Sequence, residues 1–126
     1  MHLSKAVIAI VDDEERVREA LEDLLQANFY EVRCFGSGED FLASGVLMRS
    51  DCLITDIHMN GVSGWDLLSI ARVERPDMPV ILITGRSRDA AELMQHRGQR
   101  FLFEKPVDGR DLLQAISEVL TGDVAP

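Results

Sequence analysis

The sequence predicts a doubly wound α/β domain, (βα)5, in which five parallel strands alternate with five helices that cover both faces of the sheet. Short apolar runs alternate with amphipathic stretches five times along the 126 residues. Three of the runs are nearly unbroken Val, Ile and Leu, which is typical of strands buried on both faces of a parallel sheet. Strand–helix alternation also requires right-handed crossovers between parallel strands.

Each strand is predicted from its own run of residues. Residues 6–11, 52–55 and 80–84 are almost entirely apolar, so we expect both faces of these strands to be buried. Residues 30–34 alternate apolar and polar side chains, which predicts an edge strand with one face nearer to water. Residues 101–103 are predicted to form the last, short strand.

The helices are predicted from apolar spacing and from capping residues. The first helix carries an apolar stripe at Val17, Leu21, Leu24 and Leu25. Residues 37–47, 63–75 and 88–95 are predicted as the second, third and fourth helices, and the fourth has a thin apolar stripe. Ser63 and Asp108 are expected N-caps of the third and fifth helices. The fifth has its stripe at Leu112, Leu113, Ile116, Val119 and Leu120.

Composition excludes several classes of function. The 22 acidic and 13 basic residues give a net charge of −9, which argues against binding of nucleic acid or anionic lipid by this domain. The longest apolar run, six residues, cannot cross a bilayer, so we expect a soluble cytoplasmic protein.

Cys34 and Cys52 are expected to be buried free thiols, with a disulfide between them as the alternative.

Five polar side chains follow the predicted strands at their carboxyl ends, where open α/β sheets bind ligands. They are Asp12 and Asp13 after the first strand, Asp56 and Thr84 at the ends of the third and fourth, and Lys105 after the fifth. Three carboxylates at one edge repel each other unless a cation lies among them, and all-oxygen ligands suit Mg²⁺. A carboxylate can also attack phosphorus and form an aspartyl phosphate.

Four blocks of residues stand at these strand ends: Ile-Val-Asp12-Asp13-Glu, Asp56-Ile-His-Met59-Asn-Gly-Val-Ser-Gly64, Ile-Thr84-Gly85 and Glu-Lys105-Pro106. Together they resemble the four signature blocks of response-regulator receiver domains. The likeness extends from about residue 6 to 120, and residues 35–42 are further similar to FixJ-type regulators. The resemblance implies a flavodoxin-like fold with strand order 2-1-3-4-5, a receiver domain over residues 1–121 and a tail or linker start at 122–126.

The resemblance also implies a phosphorylation-controlled switch. Asp56 would accept a phosphoryl group from a phosphohistidine on a sensor histidine kinase and then lose it slowly by self-dephosphorylation. Asp13 would bind Mg²⁺ (or Mn²⁺) directly, Asp12 mainly through water, and the backbone carbonyl of His58 would be a further ligand.

Further roles follow from the same resemblance. Lys105 would pair with the phosphate, Thr84 would move to hydrogen-bond it, and the Lys105–Pro106 peptide bond would be cis. His58 and Arg86 stand two residues after Asp56 and Thr84, at positions that tune self-dephosphorylation in the family, so we expect them to set the phosphate lifetime.

The sequence departs from the family pattern at two positions. Asn60 replaces the usual Pro after Met59, so we expect a less rigid turn. Leu102 replaces the Tyr or Phe that turns inward when the threonine engages phosphate, and strand alternation points Phe101 and Phe103 to the opposite face. We therefore expect phosphorylation to change the surface of the fourth helix and fifth strand less than in an aromatic-bearing relative.

The sequence leaves several functions open. The domain would act on an output domain or target protein, either as the input part of a DNA-binding transcriptional regulator or as a stand-alone phosphorelay or adaptor protein. A homodimer on phosphorylation would form through the face of the fourth helix and fifth strand. A Mg²⁺-dependent aspartate-nucleophile phosphatase is a remote alternative, because His58 stands where that class needs a second Asp.

Overall fold

The predicted sheet is present in the structure, a computed structural model that describes residues 5–85 and 101–122. Within these residues five parallel strands pair in the order β2-β1-β3-β4-β5. The predicted fold class and strand order are therefore confirmed. The strands are β1 (Val7–Val11), β2 (Glu31–Phe35), β3 (Cys52–Asp56), β4 (Val80–Thr84) and β5 (Leu102–Glu104).

Helices follow four of the five strands in the described part of the chain. They are α1 (Glu15–Ala27), α2 (Gly38–Ser44), α3 (Gly64–Glu74) and a C-terminal helix (Gly109–Thr121). The prediction of one helix from 37 to about 47 is wrong. Helix α2 ends at Ser44, because Gly45 takes the left-handed conformation at φ 77°, and Val46–Arg49 form a separate 3₁₀ helix. The predicted 88–95 helix lies outside the described residues.

Both predicted N-caps are confirmed. Ser63 accepts a hydrogen bond from the Asp66 N–H, and the Asp66 carboxylate accepts one from the Ser63 N–H, which closes a capping box at α3. The Asp108 carboxylate accepts hydrogen bonds from the N–H groups of Arg110 and Asp111. These bonds fix the residue at which each helix begins.

The core lies on both faces of the sheet, as alternation along buried strands requires. One face packs against α1 and the C-terminal helix, through residues such as Ile10, Leu25, Ile54, Ile83 and Ile116. The other packs against α2 and α3, through Ala9, Val11, Phe41, Leu53 and Leu67. β2 is an edge strand with an exposed Arg33, as predicted.

Two smaller predictions about side chains are also confirmed. Both cysteines are free thiols, as predicted; Cys52 is buried, which raises its pKa to about 12, whereas Cys34 is only half-buried because it lies on the edge strand β2. Phe101 and Phe103 pack on the face of α1 and the C-terminal helix, whereas Leu102 packs on the other face beside Leu82. None of the described helices combines the length and apolar character that spanning a bilayer requires.

Candidate functional site

The three predicted metal-ligand aspartates come together at the carboxyl edge of the sheet. β1 and β3 are neighbours, and one carboxylate oxygen from each of Asp12, Asp13 and Asp56 lies within 4.8 Å of the other two. Asp12 and Asp56 are almost fully buried, with 1% and 4% of their surface exposed, whereas Asp13 is exposed. The cluster therefore offers two buried carboxylates and one exposed carboxylate as possible metal ligands.

Hydrogen bonds to the backbone and to the side chain of Asp12 hold the turn that carries it. The Asp12 N–H donates to the Phe35 carbonyl at 3.1 Å, and the Glu14 N–H donates to Asp12 Oδ1 at 2.8 Å. The guanidinium of Arg18, one turn into α1, donates to the Asp12 carbonyl at 2.7 Å. Sequence analysis missed Arg18, because the bond joins a side chain to a backbone group, which apolar periodicity does not reveal.

The backbone around Asp56 is pressed against the start of α3. The Gly64 N–H donates to the Ile57 carbonyl at 3.0 Å, and the Ile57 N–H donates to Ile83 of β4 at 2.9 Å. A Cβ added at Gly64 would collide with the Asp56 carbonyl oxygen and lie 2.7 Å from the Ile57 Cα. Gly64 is therefore the residue that lets α3 approach the strand end so closely.

A contact from α2 holds the loop between β3 and α3, which contains Asn60. The Glu39 carboxylate accepts a hydrogen bond from the Val62 N–H at 3.3 Å, across 23 residues. Gly61, at φ 77°, leaves room for that carboxylate, because a Cβ there would overlap it. Gly38 packs on Val62 in the same way, so α2 supports this turn from outside. Sequence analysis missed Glu39, because no local pattern marks its partner.

Lys105 reaches the aspartates from the loop after β5. Its Nζ lies 2.5 Å from Glu14 Oε1, 3.1 Å from Asp12 Oδ2 and 3.2 Å from Asp56 Oδ2. Burial lowers the pKa of Lys105, but hydrogen bonds and charge interactions with these three carboxylates raise it well above its ordinary value. The ammonium therefore stays charged at neutral pH.

Of the other predicted site residues, Thr84 and His58 contact residues of this cluster. Thr84 is buried at the end of β4, and its carbonyl accepts a hydrogen bond from the Lys105 N–H at 2.8 Å. The Lys105–Pro106 peptide bond is cis. His58 lines a cavity beside the aspartates, and its N–H donates to Asp56 Oδ1 at 3.3 Å. Leu102 packs against Ile57, Leu68 and Leu82. The predicted site residue Arg86 lies outside the described residues.

The donor set fits a hard divalent cation. All three groups are carboxylates, which is the ligand type that Mg²⁺ and Mn²⁺ prefer. Asp12 Oδ2 is buried and accepts no hydrogen bond within the described part of the chain, although the Lys105 Nζ lies 3.1 Å away. A buried carboxylate oxygen that accepts no hydrogen bond and stands beside two further carboxylates is what a bound cation would stabilise.

The pKa of Asp12 is raised above its ordinary value, and this has a consequence for stability. Burial is the largest cause; the hydrogen bond from the Glu14 N–H lowers the pKa, the charge of Asp56 raises it, and Lys105 lowers it. A raised pKa means that the folded state binds the proton more tightly than the unfolded state. Protonation of Asp12 therefore stabilises the folded state. This contribution is fully present below the ordinary pKa of 3.8 and is lost as pH rises through the raised pKa.

Asp12→Asn, which does not titrate, should gain stability relative to the wild type as pH rises. In EDTA, urea unfolding should show the difference in unfolding free energy moving in favour of the variant by about 1 kcal/mol between about pH 4 and pH 7. Asp23→Asn, at an exposed position on α1, should show a flat difference. A flat difference for Asp12→Asn as well would contradict the raised pKa.

The chain is similar to known proteins over most of its length. The family model described as "Response regulator receiver domain" matches residues 8–117. The transcriptional regulatory protein FixJ of Azorhizobium caulinodans is 34% identical over 111 residues, covering 86% of this chain and 52% of FixJ. FixJ of Rhizobium meliloti is 36% identical over 111 residues, covering 86% of this chain and 54% of that protein.

Solved structures give the same likeness. A response regulator receiver domain protein (CheY-like) from Methanospirillum hungatei has a TM-score of 0.81 at 30% identity, covering 94% of this chain and 96% of that one. The Vibrio cholerae chemotaxis protein CheY4 has a TM-score of 0.80 at 25% identity, covering 93% of this chain and all of that one. The present chain spans about half the length of the FixJ proteins that it matches.

Proposed function

Because the chain belongs to the response regulator receiver domain family, we propose that it is a signalling switch in which Asp56 accepts a phosphoryl group from a sensor histidine kinase. The observation that carries this proposal is the meeting of Asp56 with Asp12, Asp13 and Lys105 at one strand end. A lone aspartate after a strand is an ordinary turn residue. An aspartate beside two carboxylates and an ammonium is arranged for charge-neutralised phosphoryl transfer.

The transfer needs little from the protein beyond positioning and charge. A carboxylate oxygen of Asp56 forms a bond to phosphorus while the phosphorus–nitrogen bond of the phosphohistidine breaks, and the imidazole leaves with the electron pair. Lys105, 3.2 Å from Asp56, would neutralise charge on the phosphoryl oxygens. A Mg²⁺ ion held by Asp12, Asp13, Asp56 and the His58 carbonyl would supply Lewis-acid charge stabilisation.

The remaining switch residues fit the same edge of the sheet. Thr84 ends β4, the strand next to β3, and we propose that its hydroxyl moves to hydrogen-bond a phosphoryl group on Asp56. Phosphate would then favour the arrangement that binds it better and shift an existing equilibrium. His58, next to the acceptor, would tune hydrolysis together with Arg86. Leu102 offers no ring to follow Thr84, which supports a weaker response at β5.

The relatives suggest what the switch controls. The FixJ proteins are transcriptional regulators, and this chain corresponds to about half of their length. We therefore favour a role as the input domain of a transcriptional regulator over a stand-alone relay protein. We further propose homodimerisation through the face formed by β5 and the predicted 88–95 helix. Of these two elements, β5 lies in the described part of the chain.

The test is intact mass after incubation with acetyl phosphate, with Mg²⁺ or with EDTA. We expect the mass of one phosphoryl group to be gained with Mg²⁺ and not with EDTA. Reduction of the acyl phosphate by borohydride, followed by peptide mapping, should place the modification on the peptide that contains Asp56. A protein that gains no phosphoryl mass with Mg²⁺, or gains it equally in EDTA, would overturn the proposal.

A further inference from the structure

Glu14 makes the shortest ion pair in the site, and nothing in the proposed chemistry uses it. We propose that Glu14 is a positioning residue that restrains Lys105 and slows the acceptance of phosphate by Asp56. This inference rests on the proposed function, because it concerns the rate of that same transfer. It assigns Glu14 a negative effect on the reaction, whereas Asp12, Asp13 and Lys105 would promote it.

The first argument is the geometry around the ammonium. Lys105 Nζ is closer to Glu14 Oε1, at 2.5 Å, than to Asp12 or Asp56, at 3.1 and 3.2 Å. Glu14 approaches from the solvent side, since 59% of its side chain is exposed, whereas the side chains of the two aspartates are 1% and 5% exposed. Glu14 therefore draws the ammonium toward the mouth of the site.

The second argument is the competition for charge. Glu14 lies outside the group of three aspartates that can hold a cation, so a cation there would leave the Glu14–Lys105 pair in place. An incoming phosphoryl anion must then share Lys105 with Glu14, and it approaches within a few ångströms of a negative carboxylate. Both effects raise the barrier to transfer.

The third argument is that the Glu14 side chain has no structural task in the described part of the chain beyond this pair. Glu14 is the N-cap residue of α1, but its side chain makes no capping hydrogen bond. The Glu14 N–H donates to Asp12 Oδ1, and the Glu14 carbonyl accepts from the Arg18 N–H. A change of the Glu14 side chain leaves both backbone groups in place. Glu14→Gln should therefore fold like the wild type.

The test compares Glu14→Gln with Glu15→Gln, its matched control. Glu15 is the next residue, is exposed, lies at the same helix end, and forms no ion pair in the described part of the chain. The rate of phosphorylation by acetyl phosphate with Mg²⁺ is measured for both and for the wild type. The phosphorus–oxygen bond to the acetyl group breaks, acetate leaves with the electron pair, and an Asp56 oxygen bonds to phosphorus.

We expect a rate about fivefold higher for Glu14→Gln and unchanged for Glu15→Gln. Damage to the fold would lower the rate, so a rise separates the proposed role from a structural one. An unchanged or lower rate for Glu14→Gln, or an equal rise in Glu15→Gln, would overturn the inference and leave the proposed function standing. No phosphorylation of the wild type would overturn both.

A second readout needs neither metal nor phosphate. The chain contains two lysines, Lys5 and Lys105, so ¹⁵N-lysine labelling gives two side-chain ammonium signals in an NMR spectrum. The Lys105 signal, assigned by its loss in Lys105→Met, should shift and broaden in Glu14→Gln because its protons exchange faster with water. The same signal should be unchanged in Glu15→Gln. A Lys105 signal that is identical in Glu14→Gln and the wild type would overturn the inference.

Discussion

Asp56→Asn is expected to abolish phosphorylation by acetyl phosphate, leaving intact mass unchanged after incubation with Mg²⁺. An amide has no anionic oxygen to attack phosphorus, and none of the neighbouring carboxylates is equivalent to Asp56. Asp56 is buried and is held by the His58 N–H and the Lys105 ammonium, at 3.3 and 3.2 Å. Asp13 is exposed, and Asp12 is tied by one oxygen to the Glu14 N–H. We expect a loss of at least about 100-fold in rate, the scale of removing a nucleophile.

The control for this variant is Asp77→Asn, an exposed aspartate in the turn before β4, which should be phosphorylated at the wild-type rate. Circular dichroism should show that Asp56→Asn is folded, since the variant removes one of three mutually repelling carboxylates. Phosphorylation of Asp56→Asn at the wild-type rate would mean that another residue is the acceptor, and the proposed function would have to be rebuilt around it.

Gly64→Ala is expected to lower the free energy of unfolding by about 3 kcal/mol. The added methyl group would overlap the Asp56 carbonyl oxygen and lie 2.7 Å from the Ile57 Cα. These atoms are backbone, held by the Ile57–Ile83 hydrogen bond, so they cannot move aside by a change of rotamer. Helix propensity alone favours alanine at this position in α3, by up to about 1 kcal/mol, so the sign of the measured change separates the two effects.

Urea unfolding would measure this change, with Gly85→Ala as the matched control. A Cβ at Gly85 would meet its nearest neighbour, Lys105 Cδ, at 3.8 Å, an ordinary contact, and the substitution should leave stability within about 0.5 kcal/mol of the wild type. Stability of Gly64→Ala equal to that of the wild type would mean that α3 can move away from the strand end without loss. The close packing of α3 against the Asp56 backbone would then contribute nothing to the free energy of unfolding.

Much of the fold could be predicted because its signals are local. Apolar runs and their alternation located every strand end to within one residue, and Ser63 and Asp108 marked two helix starts. The second helix was predicted too long, because apolar residues continue through Val46 and Leu47 after the chain turns at Gly45. Periodicity follows hydrophobic burial, and burial continued where the helix did not.

The sequence by itself determined the strand order and the set of residues at the carboxyl edge, through motifs whose order along the chain matches the family. Only the tertiary structure decided how those residues contact one another. The Glu14–Lys105 pair spans 91 residues and the Glu39–Val62 bond spans 23. Such contacts depend on the distance and direction between separate elements, which a repeat of two or 3.6 residues along one element does not specify.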